Sequence, residues 1–158
     1  MPASSEIRIG VISDTHGLLR PEAVNALRGS DFILHAGDVG DPAILPQLEK
    51  IAPLTAIRGN IDTGLWAVRL PETAVVKIAG ISIFMIHDVK QLAMLPERDG
   101  HAAVVYGHSH QPLSELRNGA LFFNPGSAGP RRFRLPISVG KITIQDGQIR
   151  GEIVLLKI

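Results

Sequence analysis

Hydrophobic residues in the first half of the chain alternate between two spacings. Short apolar runs predict three strands, at Ile7–Ile12, Phe32–Leu34 and Leu54–Ile57. Helical spacing predicts two helices between them, one that begins at Pro21 and ends before Gly29, and one that begins near Asp41. The second helix places its apolar residues on one stripe, formed by Ile44, Leu45, Leu48 and Ile51. This order predicts a βαβαβ unit with a mainly parallel sheet.

The second half is predicted to be mostly β-structure. Turn-forming pairs at Ala79-Gly80, Asn118-Gly119 and Asp146-Gly147 indicate three hairpins. Further strands are expected at 81–86 and 102–106, with one helix at 90–97. No linker separates the halves, so we expect residues 1–158 to form a single α/β domain. Its simplest packing is a four-layer α/β/β/α sandwich of two mixed β-sheets.

The amino-acid composition of the chain limits the classes of function that it can have. The 158 residues carry 16 basic and 15 acidic side chains, and this balance does not favour nucleic acid or an anionic membrane as a partner. The absence of cysteine excludes disulfides, thiolate metal sites and a cysteine nucleophile. We find no secretory signal and no apolar run near the ~20 residues that span a bilayer. We therefore expect a cytoplasmic protein without membrane contact.

Polar side chains cluster where the predicted strands end. The clusters are Asp14-Thr15-His16, Gly37-Asp38, Gly59-Asn60, His87 and Gly107-His108-Ser109-His110. Parallel strands bring their carboxyl ends to one edge of an open α/β sheet, where such folds bind ligands. Residues far apart in sequence are therefore expected to converge there.

The side chains of these clusters are those of a metal site. They offer two carboxylates, one carboxamide and four imidazoles, a mixture that suits Mn, Fe, Co, Ni or Zn better than Mg or Ca. Two divalent ions would outweigh the carboxylates and a bridging hydroxide, and the resulting positive charge would attract an anion. Paired ions can generate hydroxide at neutral pH and stabilise in-line displacement, so a phosphate ester is the expected substrate.

Taken together in this order, the motifs from Asp14 to His110 resemble those of the calcineurin-like metallophosphoesterase superfamily, in its small prokaryotic phosphodiesterase branch. The resemblance implies the four-layer metallo-dependent phosphatase fold and two divalent metal ions, with Mn²⁺ as the first expectation. It implies that one ion is held by Asp14, His16, Asp38 and His110. It implies that the other is held by Asp38, Asn60, His87 and His108. Asp38 would bridge the two ions, and Asp14, Asp38, Asn60 and His108 are the expected catalytic residues.

Two positions depart from the family pattern. Ile61 replaces the histidine that usually follows the asparagine and that is commonly assigned a role in stabilising the transition state or protonating the leaving group. This change favours esters with good leaving groups, unless another donor substitutes. Asp88 follows the lone histidine where glycine is usual, which puts the shape of that loop in question.

Several other residues have two readings. Asp41 and Asp62 are expected either to orient ligand imidazoles or to cap a helix. Arg131 and Arg132 are candidates for binding the substrate phosphate, although a short basic run is more often a solvated loop. Isolated polar or aromatic residues are more often structural, and this reading applies to His35, His101 and Trp66. Trp66 could instead lie in a lid over the site, formed by residues 63–70.

Three functions follow from these residues. The first is a metal-dependent phosphodiesterase that uses a metal-bridging hydroxide for in-line attack on the phosphorus of a small ester. The second is a weakly active or inactive metal-binding scaffold, since the same fold occurs in a subunit of an endosomal coat complex and Ile61 weakens the case for catalysis. The third is a phosphomonoesterase or nuclease; aromatics make up only 4% of the chain, which disfavours a nuclease. The sequence leaves open whether the protein forms a homo-oligomer.

Overall fold

Ten strands form two five-stranded mixed β-sheets in a computed structural model that describes residues 6–158. In chain order they are β1 (Ile7–Ile12), β2 (Phe32–His35), β3 (Leu54–Ala56), β4 (Thr73–Ile78), β5 (Ile81–Ile86), β6 (Ala103–Val105), β7 (Leu113–Arg117), β8 (Ala120–Asn124), β9 (Ser138–Gln145) and β10 (Gln148–Leu155). The first sheet has the order β10-β9-β1-β2-β3, and the second has the order β4-β5-β6-β8-β7. Two mixed sheets were expected, and this prediction is confirmed.

Strand direction follows the predicted connections. β1, β2 and β3 are parallel to one another, as a βαβαβ unit requires, while β9 pairs antiparallel with β1. In the second sheet β5, β6 and β8 are parallel, and β4 and β7 are antiparallel edge strands. The three predicted hairpins are present, with positive φ at both turn residues of each pair. This geometry matches the right-handed twist of the strands.

Both predicted helices of the first half pack on the outer face of the first sheet. Helix α1 covers Pro21–Leu27 with proline in its first turn, and helix α2 covers Ile44–Glu49. Leu27 and Leu48 are fully buried against the sheet residues Ile12 and Ile33. The helices therefore form the first outer layer of the sandwich.

The second outer layer differs from the prediction. The helix expected at 90–97 is replaced by a short 3-10 helix at Val89–Gln91 followed by turns. Pro96 disfavours the helical conformation at Leu95, the residue before it, and so opposes the last part of the expected helix. Val89 and Leu92 nevertheless cover Phe122 and its neighbours on the outer face of the second sheet.

The space between the sheets is filled by one apolar cluster to which both contribute. Val11 and Leu34 of the first sheet pack with Met85, Val105 and Phe123 of the second, and all five are buried. This packing sets the two sheets so that the carboxyl ends of β1, β2, β5 and β6 meet at one edge. At that edge the Gly107 N–H donates to the carbonyl of His87 over 3.0 Å.

Candidate metal centre

The predicted ligand residues follow strand ends and converge at this edge. Asp14 and His16 lie in the loop after β1, Asp38 after β2 and Asn60 after β3. His87 follows β5, and His108 and His110 lie in the loop after β6. The convergence expected from the strand order is therefore found, and it joins loops from both sheets.

The side chains form two groups whose donor atoms face each other. In the first group, potential ligand atoms of Asp14, His16 and His110 all lie within 4.8 Å of one another. In the second group, those of Asp38, His87 and His108 do the same. Asn60 belongs with the second group, because its Oδ1 lies 3.1 Å from His87 Nε2 and 3.2 Å from His108 Nδ1.

Asp38 lies between the two groups. Its Oδ2 is 3.6 Å from His16 Nε2 on one side and 3.2 Å from His87 Nε2 on the other. Its Oδ1 accepts a hydrogen bond of 3.0 Å from the Ile61 N–H. One oxygen is thus held by the backbone, and the other faces both groups of imidazoles.

The donor set has the properties that a cation site requires. Asp14 Oδ1 is buried and has no hydrogen-bond partner among residues 6–158, although it lies 3.5 Å from His110 Nε2. His16 Nε2 and His110 Nε2 are only 3.2 Å apart, so two ring nitrogens and an orphaned carboxylate oxygen face a shared space. A buried polar atom in this state needs a partner, and a divalent cation would supply it.

A second feature prepares His87 as a ligand. The Nδ1 of His87 lies 2.7 Å from the Ala36 carbonyl, a separation at which Nδ1–H donates to that oxygen. This bond crosses from one sheet to the other and leaves Nε2 to face Asp38. Ligating histidines are commonly oriented in this way by an acceptor on the remote nitrogen.

The electrostatics of the site favour positive charge. Burial alone would raise the pKa of Asp38, but hydrogen bonds from His87 and from the Ile61 N–H, together with nearby imidazoles, lower it to about 2. Burial alone would lower the pKa of His87, yet the carboxylates of Asp38 and Asp14 raise it. Burial lowers the pKa of His110 in spite of Asp14, and the charge of Arg132 lowers it further. The Asp38 carboxylate therefore stays ionised and favours a cation beside it.

Backbone strain is concentrated in the site. Among residues 6–158, nine non-glycine residues have positive φ, and five of them are predicted ligands. The five are Asp14 (55°), His16 (47°), Asp38 (57°), His108 (71°) and His110 (62°). Such conformations persist where surrounding structure enforces them, and they concentrate at functional sites.

The surrounding structure includes Asp62, whose role differs from both expectations. Asp62 is buried, and its carboxylate accepts hydrogen bonds from the N–H groups of Val39, Gly40 and Gly59 at 2.9–3.1 Å. It therefore ties the Asp38 loop to the Asn60 loop, rather than capping a helix or bonding an imidazole. Asp41 Oδ1 accepts from the Ala43 N–H over 2.9 Å in the turn before α2, and it does not cap the helix, whose first turn has no side-chain cap.

The glycine before Asn60 permits the close approach of these two loops. A Cβ on Gly59 would overlap both Oδ1 and the backbone nitrogen of Asp38. Only glycine allows the Asn60 loop to lie directly against the Asp38 carboxylate.

Four further residues hold the site in place without belonging to the predicted ligands, and only one of them, His35, was expected to be structural. Ser13 Oγ donates to Asp14 Oδ2 over 2.7 Å, and Ser127 Oγ donates to the Asp14 carbonyl over 3.0 Å. Asn124 Nδ2 donates to the Gly107 carbonyl over 3.1 Å, next to the two histidines of that loop. The segment Asn124-Pro125-Gly126-Ser127 resembles one found in the small branch of the family named above, and this resemblance is the signal that could have indicated this support.

His35 is the fourth supporting residue. Its Nδ1 accepts from the Gly37 N–H over 3.1 Å, and its Nε2 donates to Thr15 Oγ1 over 3.0 Å. Thr15 Oγ1 in turn donates to the Val39 carbonyl over 2.8 Å. His35 therefore links the loop of Asp14 to the loop of Asp38, and the structural reading of this residue is confirmed.

The remaining candidates lie away from the two groups or at their rim. Arg131 is exposed and its guanidinium donates to the Leu135 carbonyl over 3.4 Å, whereas Arg132 acts electrostatically on His110. His101 bonds Ser82 Oγ at 2.8 Å, and Trp66 packs beside the cluster under the helices. Both of the latter are structural, as the sequence suggested.

The two departures from the family pattern have different consequences. Asp88 has a φ of −109°, an extended conformation that any residue adopts, so the loop needs no glycine here. Ile61 is 40% exposed, and its side chain offers no proton to a leaving group. The loop that carries His87 is therefore intact, whereas position 61 lacks the usual proton donor.

The chain was compared with known protein families and known proteins. A sequence model of the calcineurin-like phosphoesterase superfamily domain matches residues 7–147. A probable metallophosphoesterase of Methanothermobacter thermautotrophicus is 35% identical, over 92% of this chain and 91% of the relative. Phosphodiesterase YfcE of Escherichia coli is 29% identical, over 82% of this chain and 84% of its own length.

A solved structure with a similar fold is vacuolar protein sorting 29 from Cryptosporidium parvum. It matches with a TM-score of 0.77 at 19% identity, covering 99% of this chain and 100% of that one. At 19% identity this similarity is evidence for the fold alone. Across residues 6–158, no helix has both the length and the apolarity needed to span a bilayer.

Proposed function

Since this chain belongs to the calcineurin-like phosphoesterase superfamily, we propose that it is a phosphodiesterase that binds two divalent metal ions and hydrolyses a small phosphate ester. The family and its named relatives make the protein a metal-dependent phosphoric ester hydrolase. The observation that carries the two-ion proposal is the pair of ligand groups with Asp38 between them.

The proposed ligand sets follow these groups. Asp14, His16, Asp38 and His110 would hold one ion, and Asp38, Asn60, His87 and His108 would hold the other. The orphaned Asp14 Oδ1 and the close pair of His16 and His110 nitrogens support the first set. The mixed nitrogen and oxygen donors favour Mn²⁺, with Ni²⁺, Fe²⁺, Co²⁺ and Zn²⁺ as alternatives.

The chemistry divides between the ions and the chain. When bound, the two ions would supply a hydroxide for in-line attack on phosphorus and stabilise charge on the displaced oxygen. Asp38 stays ionised, and the Asp14 and Asp38 side chains would hold the positive charge at the strand ends. Asn60 directs Oδ1 towards His87 and His108, which leaves its amide nitrogen as a donor for a phosphoryl oxygen.

Arg131 and Arg132 are proposed to bind the substrate phosphate. Arg132 is the stronger candidate, because its charge acts on His110 and it therefore lies near the first group. A guanidinium can bond two phosphate oxygens at once. With Ile61 in place of the usual histidine, turnover should depend strongly on the leaving group.

A binding scaffold is the second candidate function. The similar fold of vacuolar protein sorting 29 and the presence of Ile61 favour it, whereas the complete set of seven polar ligand residues favours catalysis. Stoichiometric metal without hydrolysis of any ester would support the scaffold. A monoesterase would depend on Arg131 and Arg132 to neutralise the additional phosphate charge. The cytoplasmic location and the exclusion of nucleic acid stay predictions.

The proposal is tested by metal content and turnover measured on the same preparation. Chelation should abolish hydrolysis of phosphodiesters, and Mn²⁺ or a similar ion should restore it. Asp38→Asn and His108→Ala should remove turnover and lower the metal content. Asp41→Asn and His101→Ala are matched controls outside both groups and should keep both properties. An active metal-free preparation would contradict the proposal.

A further inference from the structure

We propose that a polar cavity beside the second ligand group binds a hydroxyl-rich substituent of the phosphate ester, such as a glycerol or sugar group. The cavity has a volume of about 580 Å³ and is lined by Asn60, His87 and His108 on the side of the ligands. Ligand cavities typically measure roughly 300–1,000 Å³, so the space is large enough for a sugar-sized group. The inference rests on the proposed function, because it names the substrate class of that same site.

The opposite wall of the cavity is formed by polar side chains that are not ligands. They are Arg58, Glu72, Thr73, Asp88 and Gln91. The Arg58 N–H donates to the Pro71 carbonyl over 2.8 Å, which fixes the backbone where β3 has ended. Its guanidinium donates to Glu72 Oε1 over 2.9 Å. Arg58 therefore holds two chain segments of the wall together, and Asp88 and Gln91 add a third segment after β5.

The charges of this wall favour hydroxyl groups over a second anion. Two carboxylates, Glu72 and Asp88, stand against one guanidinium, Arg58. A substituent that carries its own phosphate or carboxylate would meet net negative charge here. Hydroxyl groups instead donate to carboxylates and accept from a guanidinium, while the Gln91 amide does both. Hydrogen bonds to charged groups are stronger than those between neutral groups, so each correctly placed hydroxyl adds to the binding affinity.

The wall also disfavours an aromatic substituent. Among the described residues the cavity is lined by no Phe, Tyr or Trp, and its apolar lining includes Ile86. Its aromatic rings are the imidazoles of His87 and His108, whose nitrogens belong to the second ligand group. A nucleobase gains most of its sequence-tolerant affinity from stacking on aromatic side chains. A nucleobase therefore fits this cavity less well than a polyol does.

Asp88 connects the cavity to the ligand group. Its Oδ1 accepts from the Lys90 N–H over 3.0 Å, which holds the side chain at the start of the 3-10 helix. Its Oδ2 lies 3.9 Å from His108 Nε2, at the border between cavity and ligands. Asp88 thus places a carboxylate where the family pattern usually has glycine. We assign it to the recognition of a hydroxyl close to the phosphate.

The test compares two diesters with the same leaving group. Methyl p-nitrophenyl phosphate and glyceryl p-nitrophenyl phosphate release the same phenolate. Because the neighbouring hydroxyl of the glyceryl group can itself attack phosphorus and form a cyclic phosphate, the initial products are resolved by ³¹P NMR, and only glycerol 1-phosphate formed by hydrolysis is counted. The metal-loaded protein should show a kcat/KM about tenfold higher for the glyceryl ester, as expected for one or two hydrogen bonds to charged groups. Titration calorimetry with glycerol 1-phosphate and methyl phosphate should show the same preference without turnover.

Two substitutions locate the preference in the cavity wall. Arg58→Met and Asp88→Asn should each lower the ratio of the two kcat/KM values towards one, and Asp88→Asn keeps an oxygen to accept from Lys90. Arg117→Met is the matched control, because Arg117 pairs with Glu115 at the same 2.9 Å on β7, outside the cavity. The control should keep the full ratio. Thermal unfolding checks that each variant is folded.

The possible outcomes separate the two proposals. Equal kcat/KM and equal affinity for both ligands would overturn the cavity assignment and leave the phosphodiesterase proposal standing. A preference that survives Arg58→Met and Asp88→Asn in folded protein would also overturn it. Metal-loaded protein that hydrolyses neither ester would overturn the proposed function and this inference with it.

Discussion

Protonation of His35 should destabilise the protein in mildly acidic solution. The side chain is completely buried, and burial lowers its pKa to about 4 although the Asp14 and Asp62 carboxylates act in the opposite direction. In the neutral form Nδ1 accepts from the Gly37 N–H. A proton on Nδ1 would break this bond and leave a charge in the interior, between the loops of Asp14 and Asp38.

The sign and size of the effect follow from the two pKa values. His35 has a pKa near 6.5 in the unfolded chain and about 4 in the folded protein. Between these values the unfolded state binds more protons, so the free energy of unfolding falls as the pH is lowered. The contribution is complete above pH 6.5 and is lost as the pH falls to about 4. A shift of this size corresponds to roughly 3 kcal/mol.

Urea unfolding between pH 7.5 and 4 measures this loss, with chelator present so that metal binding does not contribute. The matched variant is His35→Gln, which keeps a donor and an acceptor but does not titrate. It should be less stable at pH 7, because glutamine cannot reproduce both hydrogen bonds, and its free energy of unfolding should fall less steeply with acid. The two curves should approach each other by roughly 3 kcal/mol near pH 4. Parallel curves for the two proteins would refute the reasoning.

Two further predictions concern the site itself. Gly59→Ala should displace the Asp38 carboxylate and abolish stoichiometric metal binding, as measured by calorimetry. The control is Gly80→Asn in a hairpin turn, where a Cβ meets no atom within 4 Å, and this variant should bind metal normally. Unchanged metal binding by Gly59→Ala would contradict the close approach of the two loops. Ile61→His should restore a proton donor and raise kcat at least tenfold for alkyl diesters, with little change for p-nitrophenyl diesters. Equal effects on both ester classes would argue against a missing donor.

The ligand loops could be predicted from sequence because each follows a strand whose apolar run is unambiguous. Asp14 and Asp38 come directly after buried strands of a βαβαβ unit, and parallel strands end at one edge. That His87 and His108 join them depends on the packing of a second sheet. The strand pattern predicted two packed sheets, and the resemblance to a family implied the same packing independently.

The supporting contacts could not be predicted, because they join residues distant in sequence. Ser127 donates to the Asp14 carbonyl across 113 positions, and Asp62 reaches the backbone of the Asp38 loop across more than 20. Side chains of this kind bond backbone atoms whose positions exist only in the folded protein. The helix expected at 90–97 was wrong for a different reason. The spacing of apolar residues favoured a helix there, but the conformational restriction before Pro96 opposed it.

The strained ligand loops explain why so many side chains other than the ligands converge on this edge. Each non-glycine residue with positive φ costs on the order of 1–3 kcal/mol, and five such residues lie in three adjacent loops. The cost must be offset locally, and Asp62, Ser127, Asn124 and His35 do so with hydrogen bonds to the backbone of those loops. A site held in this way has its donor atoms placed before any ion arrives. Ion binding therefore needs little rearrangement of the chain, and little of the free energy of coordination is lost in ordering the loops.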